Sequence, residues 1–250
     1  MARNNSHSRR ENEGPGRELF PGVRRDRNAA WTLNATPGET VYGESIRKYG
    51  PRHSPIEWRR WDPTRSKIGA GLIRTRFDSE DLLPLRGSQA LYLGAAHGTT
   101  VSHLHDFMCG QDNHKGGRIV AVDLSPRCLR DLTHLARKRP GLVPVLGDAR
   151  KFDAWGMLVP TKVDWLFQDV SQSHQVGIFI AAAQRFLAYD GVALLSLKAE
   201  SEQRNEQGQA ALFDSVADQL EQAGFEIVER IVLHGLEDHH ELFHAIYLPD

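Results

Sequence analysis

The sequence predicts an α/β protein: an open, seven-stranded, mostly parallel sheet preceded by a small N-terminal β unit. Three observations carry this prediction. From residue 88 onward, short apolar runs alternate with segments of helical periodicity. Those runs are apolar on both faces, as strands covered by helices on each side must be. At 250 residues and 40% hydrophobic, the chain can bury a sizeable core without crosslinks, so one main domain and an appendage fit.

The elements follow in order. Residues 1–28 lack periodicity and carry seven Arg against four acids, which predicts a disordered basic tail. Residues 29–62 hold the β-like pieces "AAWTLN", "ETVYGES" and "IEWRRWD", separated by the turn signals "TPGE" and "KYGPRHSP". "WDPTRSKIGAGLI" then opens a helix, with Asp62 as its cap and Pro63 in its first turn. Strands are expected at 89–95, 118–124, 142–148, 163–170, 191–198, 225–233 and 242–248, with helices at 99–109, 126–138, 173–188 and 208–223. The last two strands follow each other without a helix, so one of them runs antiparallel at the end of the sheet. Seven strands with a reversed last member is the arrangement of a Rossmann-like class I methyltransferase, here occupying residues 63–250.

Composition excludes several classes. No apolar run approaches the roughly 20 residues of a membrane span, and the N-terminus has no apolar stretch for a secretory signal. Cys109 and Cys128 make neither a disulfide scaffold nor a metal site; they read as small buried fillers, and a reducing compartment fits them. The His-rich stretches "HGTTVSHLH" and "HGLEDHHELFH" lack both His-Glu-x-x-His and a cysteine partner, so no metal is expected. The net charge of −1 hides an asymmetry: residues 44–76 carry nine Lys/Arg against three acids, residues 200–250 two Arg against twelve. A basic front region fits a phosphate-rich partner or an ordinary solvated surface about equally. Trp58 and Trp61, set among arginines, suit stacking on RNA bases or packing of the front unit.

The chemistry concentrates in "LYLGAAHGTTVSHLHD", residues 91–106. Gly94 and Gly98 lie between the first strand of the main sheet and its helix, where glycine permits a sharp turn and close approach to a ligand. Thr99 and Thr100 open the helix, whose amides suit polar or anionic groups. The Gly-x-x-x-Gly spacing matches neither the dinucleotide fingerprint nor a P-loop. The next strands end on acids. Asp123 can accept from both hydroxyls of an adenosine ribose, Asp148 with the Ala149 backbone can read an adenine edge, and Asp169 lies over the centre of the crevice. Three carboxylates favour the cationic S-adenosylmethionine over a pyrophosphate such as NAD, although on these residues alone both remain open. A plain tight turn at Gly94 and Gly98 is the bland alternative.

These segments together resemble the fibrillarin family of RNA 2′-O-methyltransferases. The matching stretches are "VYGE", "WDPTRSKIGAGL", "LYLGAAHGTTVSHLHD", "VAVDLSPRCLRDL", "RPGLVPVLGDARKF", "VDWLFQDVSQSHQ", "FLAYDGVALLSLKA" and "EDHH", in family order from about residue 40 to 248. The resemblance implies S-adenosyl-L-methionine contacts at Gly94, Ala95, Gly98, Thr99, Thr100, Asp123, Leu124, Asp148, Ala149, Asp169 and Gln172. It implies a catalytic group of Lys67, Asp169, Lys198 and His240. In that reading Lys198 is the base or orients the nucleophile, with Lys67 as a cationic neighbour that favours its neutral amine. Asp169 holds Lys198 and faces the sulfonium, and His240 orients the ribose or relays the proton. The implied partners are a guide RNA with its rRNA or tRNA target, a Nop-domain scaffold protein and an L7Ae-type kink-turn-binding protein. The implied location is cytoplasmic for an archaeal-type member and nucleolar for a eukaryotic one; the absence of RGG repeats points to the archaeal type. A stand-alone methyltransferase of RNA or of protein glutamine, and a non-catalytic assembly subunit, are the competing readings. The chain departs from the family pattern at His97, Asp123, Leu124 and Ser171, and at Asp238-His239-His240 where Arg-Asp-His is usual.

Overall fold

The structure, a computed structural model, describes residues 13–159, 161–198, 209–237 and 240–249. Two sheets organise them. The first is antiparallel, with spatial order β1-β2-β3-β5-β4, from strands β1 (Arg17–Phe20), β2 (Val23–Asp26), β3 (Ala29–Leu33), β4 (Ile46–Tyr49) and β5 (Ile56–Trp61). The second has order β11-β12-β10-β9-β6-β7-β8. Its strands are β6 (Gln89–Leu93), β7 (Arg118–Asp123), β8 (Leu142–Leu146), β9 (Val163–Gln168), β10 (Leu187–Lys198), β11 (Phe225–Val232) and β12 (His240–Tyr247). Helices α1 (Lys67–Arg74), α2 (Thr99–Met108) and α3 (Pro126–Ala136) pack with the small sheet on one face. Helices α4 (Gln175–Phe186) and α5 (Gln209–Gln222) cover the other.

Four expectations need correction. Residues 17–26, assigned to the disordered tail, form β1 and β2. Their arginines mask an alternating pattern in which Phe20 and Val23 point inward across a Pro-Gly turn; the remainder of that tail, residues 1–12, lies outside the described residues. "ETVYGES" is not a strand: it loops so that Glu44 receives the amides of Val41 and Tyr42. Asp62 and Pro63 start only a 3₁₀ turn, and α1 takes Ser66 as its own cap, accepting from Gly69 N at 3.1 Å. The reversed strand β12 is not terminal in the sheet but lies between β10 and β11, antiparallel to both. Trp58 and Trp61 are buried, which settles them as packing rather than RNA stacking.

The two sheets are joined through a buried ionic knot. Arg59 of β5 donates to Glu44 Oε1 at 2.6 Å, Asp106 Oδ2 at 2.6 Å and Ser102 Oγ at 3.0 Å. Arg139 donates to the other oxygen of Asp106 at 2.6 Å, and Thr32 Oγ1 and Ala35 N add two further donors. The Arg59, Asp106 and Arg139 side chains are at most 1% exposed. Burial pushes the Asp106 carboxyl up, and the two guanidinium groups more than reverse it, so it titrates below the usual carboxylate range. Beside the knot, His103 stacks on Trp61 with ring centroids 4.8 Å apart and lies 2.7 Å from Thr32 Oγ1 and 2.8 Å from Tyr42 Oη.

Removing the carboxylate by Asp106→Ala strands two buried guanidinium groups. The expected loss is about 3–5 kcal/mol of unfolding free energy, measured by chemical denaturation. A second expectation concerns pH. Burial lowers the His103 pKa well below 6.5 and that of His105 to about 4, so the folded state stays neutral where the unfolded chain binds protons. Stability is therefore full above pH 6.5 and declines as pH falls toward about 4. Urea titrations across that window are expected to show a shallower decline for His105→Gln, with the remainder carried by His103.

Candidate functional site

The site forms where β6 turns into α2. Gly94 takes φ +85°, and its amide donates to Val122 O at 2.9 Å. A Cβ there would collide with the Asp169 carbonyl oxygen, so β6 and β9 approach this closely only because residue 94 is glycine. Gly98 adopts φ +95° against Leu135, making the turn into α2. Ala95 is buried. Both glycines shape the loop.

Beside this turn lies a cleft of about 340 Å³, lined by Gly94, Asp123, Leu124, Ala149, Asp169 and Gln172 among others. The Asp123 carboxylate is fixed by two amides, Ala96 N on Oδ2 and Ser125 N on Oδ1, both at 2.8 Å. Each oxygen keeps acceptor capacity toward the cleft. Gln172 donates from Nε2 to Asp148 Oδ1 at 3.3 Å, while its buried Oε1 has no partner among the described residues. Leu124 is 57% exposed at the rim, an apolar surface on offer. Asp148 is held by Arg150, with Nη2 on Oδ2 at 2.7 Å and Nε on Oδ1 at 3.0 Å. The Arg150 hydrogen bonds drive its pKa far below the carboxylate range. Arg150 was not anticipated from sequence. It neutralises Asp148, so the cleft carries less negative charge than three strand-end carboxylates suggest.

Thr99 faces a neighbouring cavity of about 450 Å³ that meets the cleft at Ala96 and is bounded by Tyr42 and Arg65. Thr100 is different: its buried hydroxyl donates to Ser66 Oγ at 2.8 Å, tying α2 to the cap of α1. Lys67, the next residue, lies with Nζ 3.5 Å from Asp169 Oδ2 and 3.6 Å from Glu237 Oε1. Sequence reading missed Glu237, which sits in an acidic region where nothing in the spacing singles it out. Lys198 ends β10 directly opposite His240 in the β10–β12 register, so their side chains share a face of the sheet. The Lys198 amide donates to Gln175 Oε1 at 3.3 Å, fixing the strand end to α4. Residues from four separate stretches, Lys67, Asp169, Lys198 and His240, thus share the carboxyl edge of β9 and β10. Asp238 and His239, where the chain departs from the resemblance, lie outside the described residues. Among the described residues no group of three His, Cys, Asp or Glu could hold a metal ion, and no helix is long and apolar enough to cross a membrane.

Comparison with known proteins gives the family and the fold. The family profile described as Fibrillarin matches residues 18–249. The chain belongs to the fibrillarin family. A fibrillarin-like rRNA/tRNA 2′-O-methyltransferase from Methanosarcina mazei is 40% identical over 222 residues, 87% of this chain and 90% of that protein. Aeropyrum pernix fibrillarin, solved with natively bound S-adenosyl-L-methionine, is 31% identical, with a TM-score of 0.77 over 92% of this chain and 96% of that one. The fibrillarin of a fibrillarin/Nop5p complex is 32% identical, with a TM-score of 0.77 over 93% of this chain and all (100%) of that one. The fibrillarin match starts at residue 18, within β1, so the small sheet belongs to the family fold from its first strand.

The glycine requirement is testable. Gly94→Ala is expected to weaken S-adenosylmethionine binding at least tenfold by calorimetry, because the clash displaces the Asp169 end of β9. Gly38→Ala is the control: it has a similar φ of +83° but nothing within 4 Å of the added methyl, and binding is expected to stay within twofold.

Proposed function

We propose that this fibrillarin-family chain is an S-adenosylmethionine-dependent RNA 2′-O-ribose methyltransferase, the catalytic subunit of a guide-RNA ribonucleoprotein acting on rRNA or tRNA. The observation that carries the reading is the meeting of Lys67, Asp169, Lys198 and His240 at one sheet edge beside the cleft. Support comes from relatives named for rRNA/tRNA 2′-O-methylation, from a relative crystallised with S-adenosyl-L-methionine and from another solved with Nop5p. A Nop-domain scaffold is accordingly the first partner, with an L7Ae-type protein and the guide RNA completing the assembly. Arg59, Trp58 and Trp61 are spent inside the fold. RNA contact in the basic region therefore falls to exposed cations such as Arg52, Arg65 and Arg76.

The residues present fit the methyl donor. Asp123 is pre-oriented to accept from two ribose hydroxyls, Gln172 Oε1 is a buried acceptor in want of a donor, and Leu124 offers an apolar rim. Among the described residues no lysine or arginine lines the cleft, and Arg150 beside it is already paired with Asp148, which disfavours a pyrophosphate and so a dinucleotide. Bound there, S-adenosylmethionine supplies an electrophilic methyl group on a positively charged sulfur. The chain's own work is to orient the acceptor and take its proton. Lys198 Nζ receives the 2′-hydroxyl proton, and His240, opposite it on β12, orients the sugar and passes the proton onward. Asp169 faces the cleft from the end of β9 and is itself held by Lys67. Hydroxyl groups of Thr100 and Ser66 fix the helix that carries Lys67.

The test uses a tritiated donor and a guide–target duplex, with and without the scaffold proteins. Lys198→Ala is expected to bind the donor within twofold of the native chain while transferring methyl about 10²–10⁴ times more slowly. Equal transfer to naked RNA lacking any guide would overturn the assignment to a guided assembly.

A further inference from the structure

We infer that Glu237 is a positioning residue for the transfer site, acting through Lys67; the inference rests on the function proposed above. Three observations lead to it. Lys67 Nζ lies almost equally far from two carboxylates of different origin, 3.5 Å from Asp169 and 3.6 Å from Glu237, and all three side chains are only 19–23% exposed. The turn carrying Glu237 is built, not loose. Leu236 N and Glu237 N both bond to Leu233 O, at 3.0 and 2.9 Å, and Leu236 packs on the core. The C-terminal end of α1 reaches the same turn, with Arg74 Nη2 donating to His234 O at 3.0 Å. Both ends of α1 are thereby clamped by residues 234–237.

The third observation is electrostatic. Lys67 is the first residue of α1, where the helix dipole disfavours a cation, and the first turn contains no acid of its own. A lysine there needs compensation from outside the helix. Asp169 supplies one carboxylate, but Asp169 also faces the cleft. Glu237 supplies the second, from a different part of the chain, so Asp169 does not have to hold the ammonium alone. At 3.5 and 3.6 Å the ammonium is nearly equidistant from its partners, without a short bond to either. Its protons remain available to an acceptor oxygen arriving at the same edge. Glu237 therefore sets where the Lys67 ammonium stands, and through it the direction in which Asp169 points.

Two readouts test this on the full chain, one independent of turnover. The first is acylation of the Lys67 amine by a small amine-reactive ester at pH 8, quantified by mass spectrometry. Glu237→Gln is expected to raise Lys67 labelling at least twofold, because one of two carboxylates holding the ammonium is gone. The second is methyl transfer in the assembled guide ribonucleoprotein. There Glu237→Gln is expected to lower kcat about tenfold or more, with donor affinity, RNA KM and melting temperature essentially unchanged. Glu237→Asp should recover part of the loss. Unchanged labelling overturns the inference whatever the activity. Raised labelling with native kcat, or a kcat loss matched by an equal loss of stability, reduces Glu237 to a helix-stabilising charge and also overturns it. Raised labelling in a chain whose native form transfers no methyl overturns the function proposed above and leaves the Glu237–Lys67 contact standing.

Discussion

The Asp106 carboxylate, shared between Arg59 and Arg139, is the interaction on which the rest of the structure depends. Asp106 belongs to α2, the helix whose N-terminus opens beside the cleft. Arg59 belongs to the small sheet, and Arg139 lies in the turn between α3 and β8. One buried anion thus fixes three separate parts of the chain relative to each other. An ionic knot of this kind adds little net stability over an apolar core of the same shape, because desolvation offsets most of the attraction. Its directional bonds instead admit one arrangement. Sliding the small sheet by one residue would leave a guanidinium group buried without its carboxylate.

That arrangement is transmitted to the site by short steps. β5 ends at Trp61, which stacks on His103 of α2 on one side and meets Gly69 of α1 on the other. A Cβ at residue 69 would stand 2.9 Å from the Trp61 ring, and one at residue 71 would stand 2.8 Å from Leu242 of β12. The small residues of "KIGAGLI" thus let α1 lie tightly between the small sheet and the large one. The Ser66–Thr100 hydroxyl pair then locks the start of α1 to the start of α2. Lys67 is placed by packing on three sides before any charge acts on it.

Much of this was legible in the sequence where one local rule dominates. The strands and helices from residue 89 onward fell within a few residues of expectation, because continuous apolar runs and period-3.6 patterns there coincide with burial. Asp123, Asp148 and Asp169 were found because strand ends in an open α/β sheet converge on one crevice. The failures have separate causes. β1 and β2 were lost because short arginine-bearing strands resemble a solvated tail in composition. Trp58 and Trp61 stayed open between RNA stacking and packing because sequence gives residue type and not burial. Arg150 escaped because a cation two residues after Asp148 carries no periodic or motif signal, and Glu237 because its partner, 170 positions away at Lys67, is set by tertiary placement.

The ion pairs of the site differ in tightness, and the difference separates scaffold from chemistry. Arg150 grips Asp148 with bonds of 2.7 to 3.2 Å, a saturated pair whose field largely cancels. Asp123 is likewise committed, at 2.8 Å, to two backbone amides that set its orientation. These groups define a shape into which a nucleoside fits, and neither has a reason to move during turnover. Lys67 stands at 3.5 and 3.6 Å from its carboxylates, and its side chain is too sheltered for water to screen it fully. A charge held at that distance still exerts its field on whatever enters beside it. Lys67 is thus the cation of this edge that is held by field and not by short bonds. A reaction that displaces a proton from a neutral alcohol next to a cation needs its protein charges fixed in place before the substrate arrives.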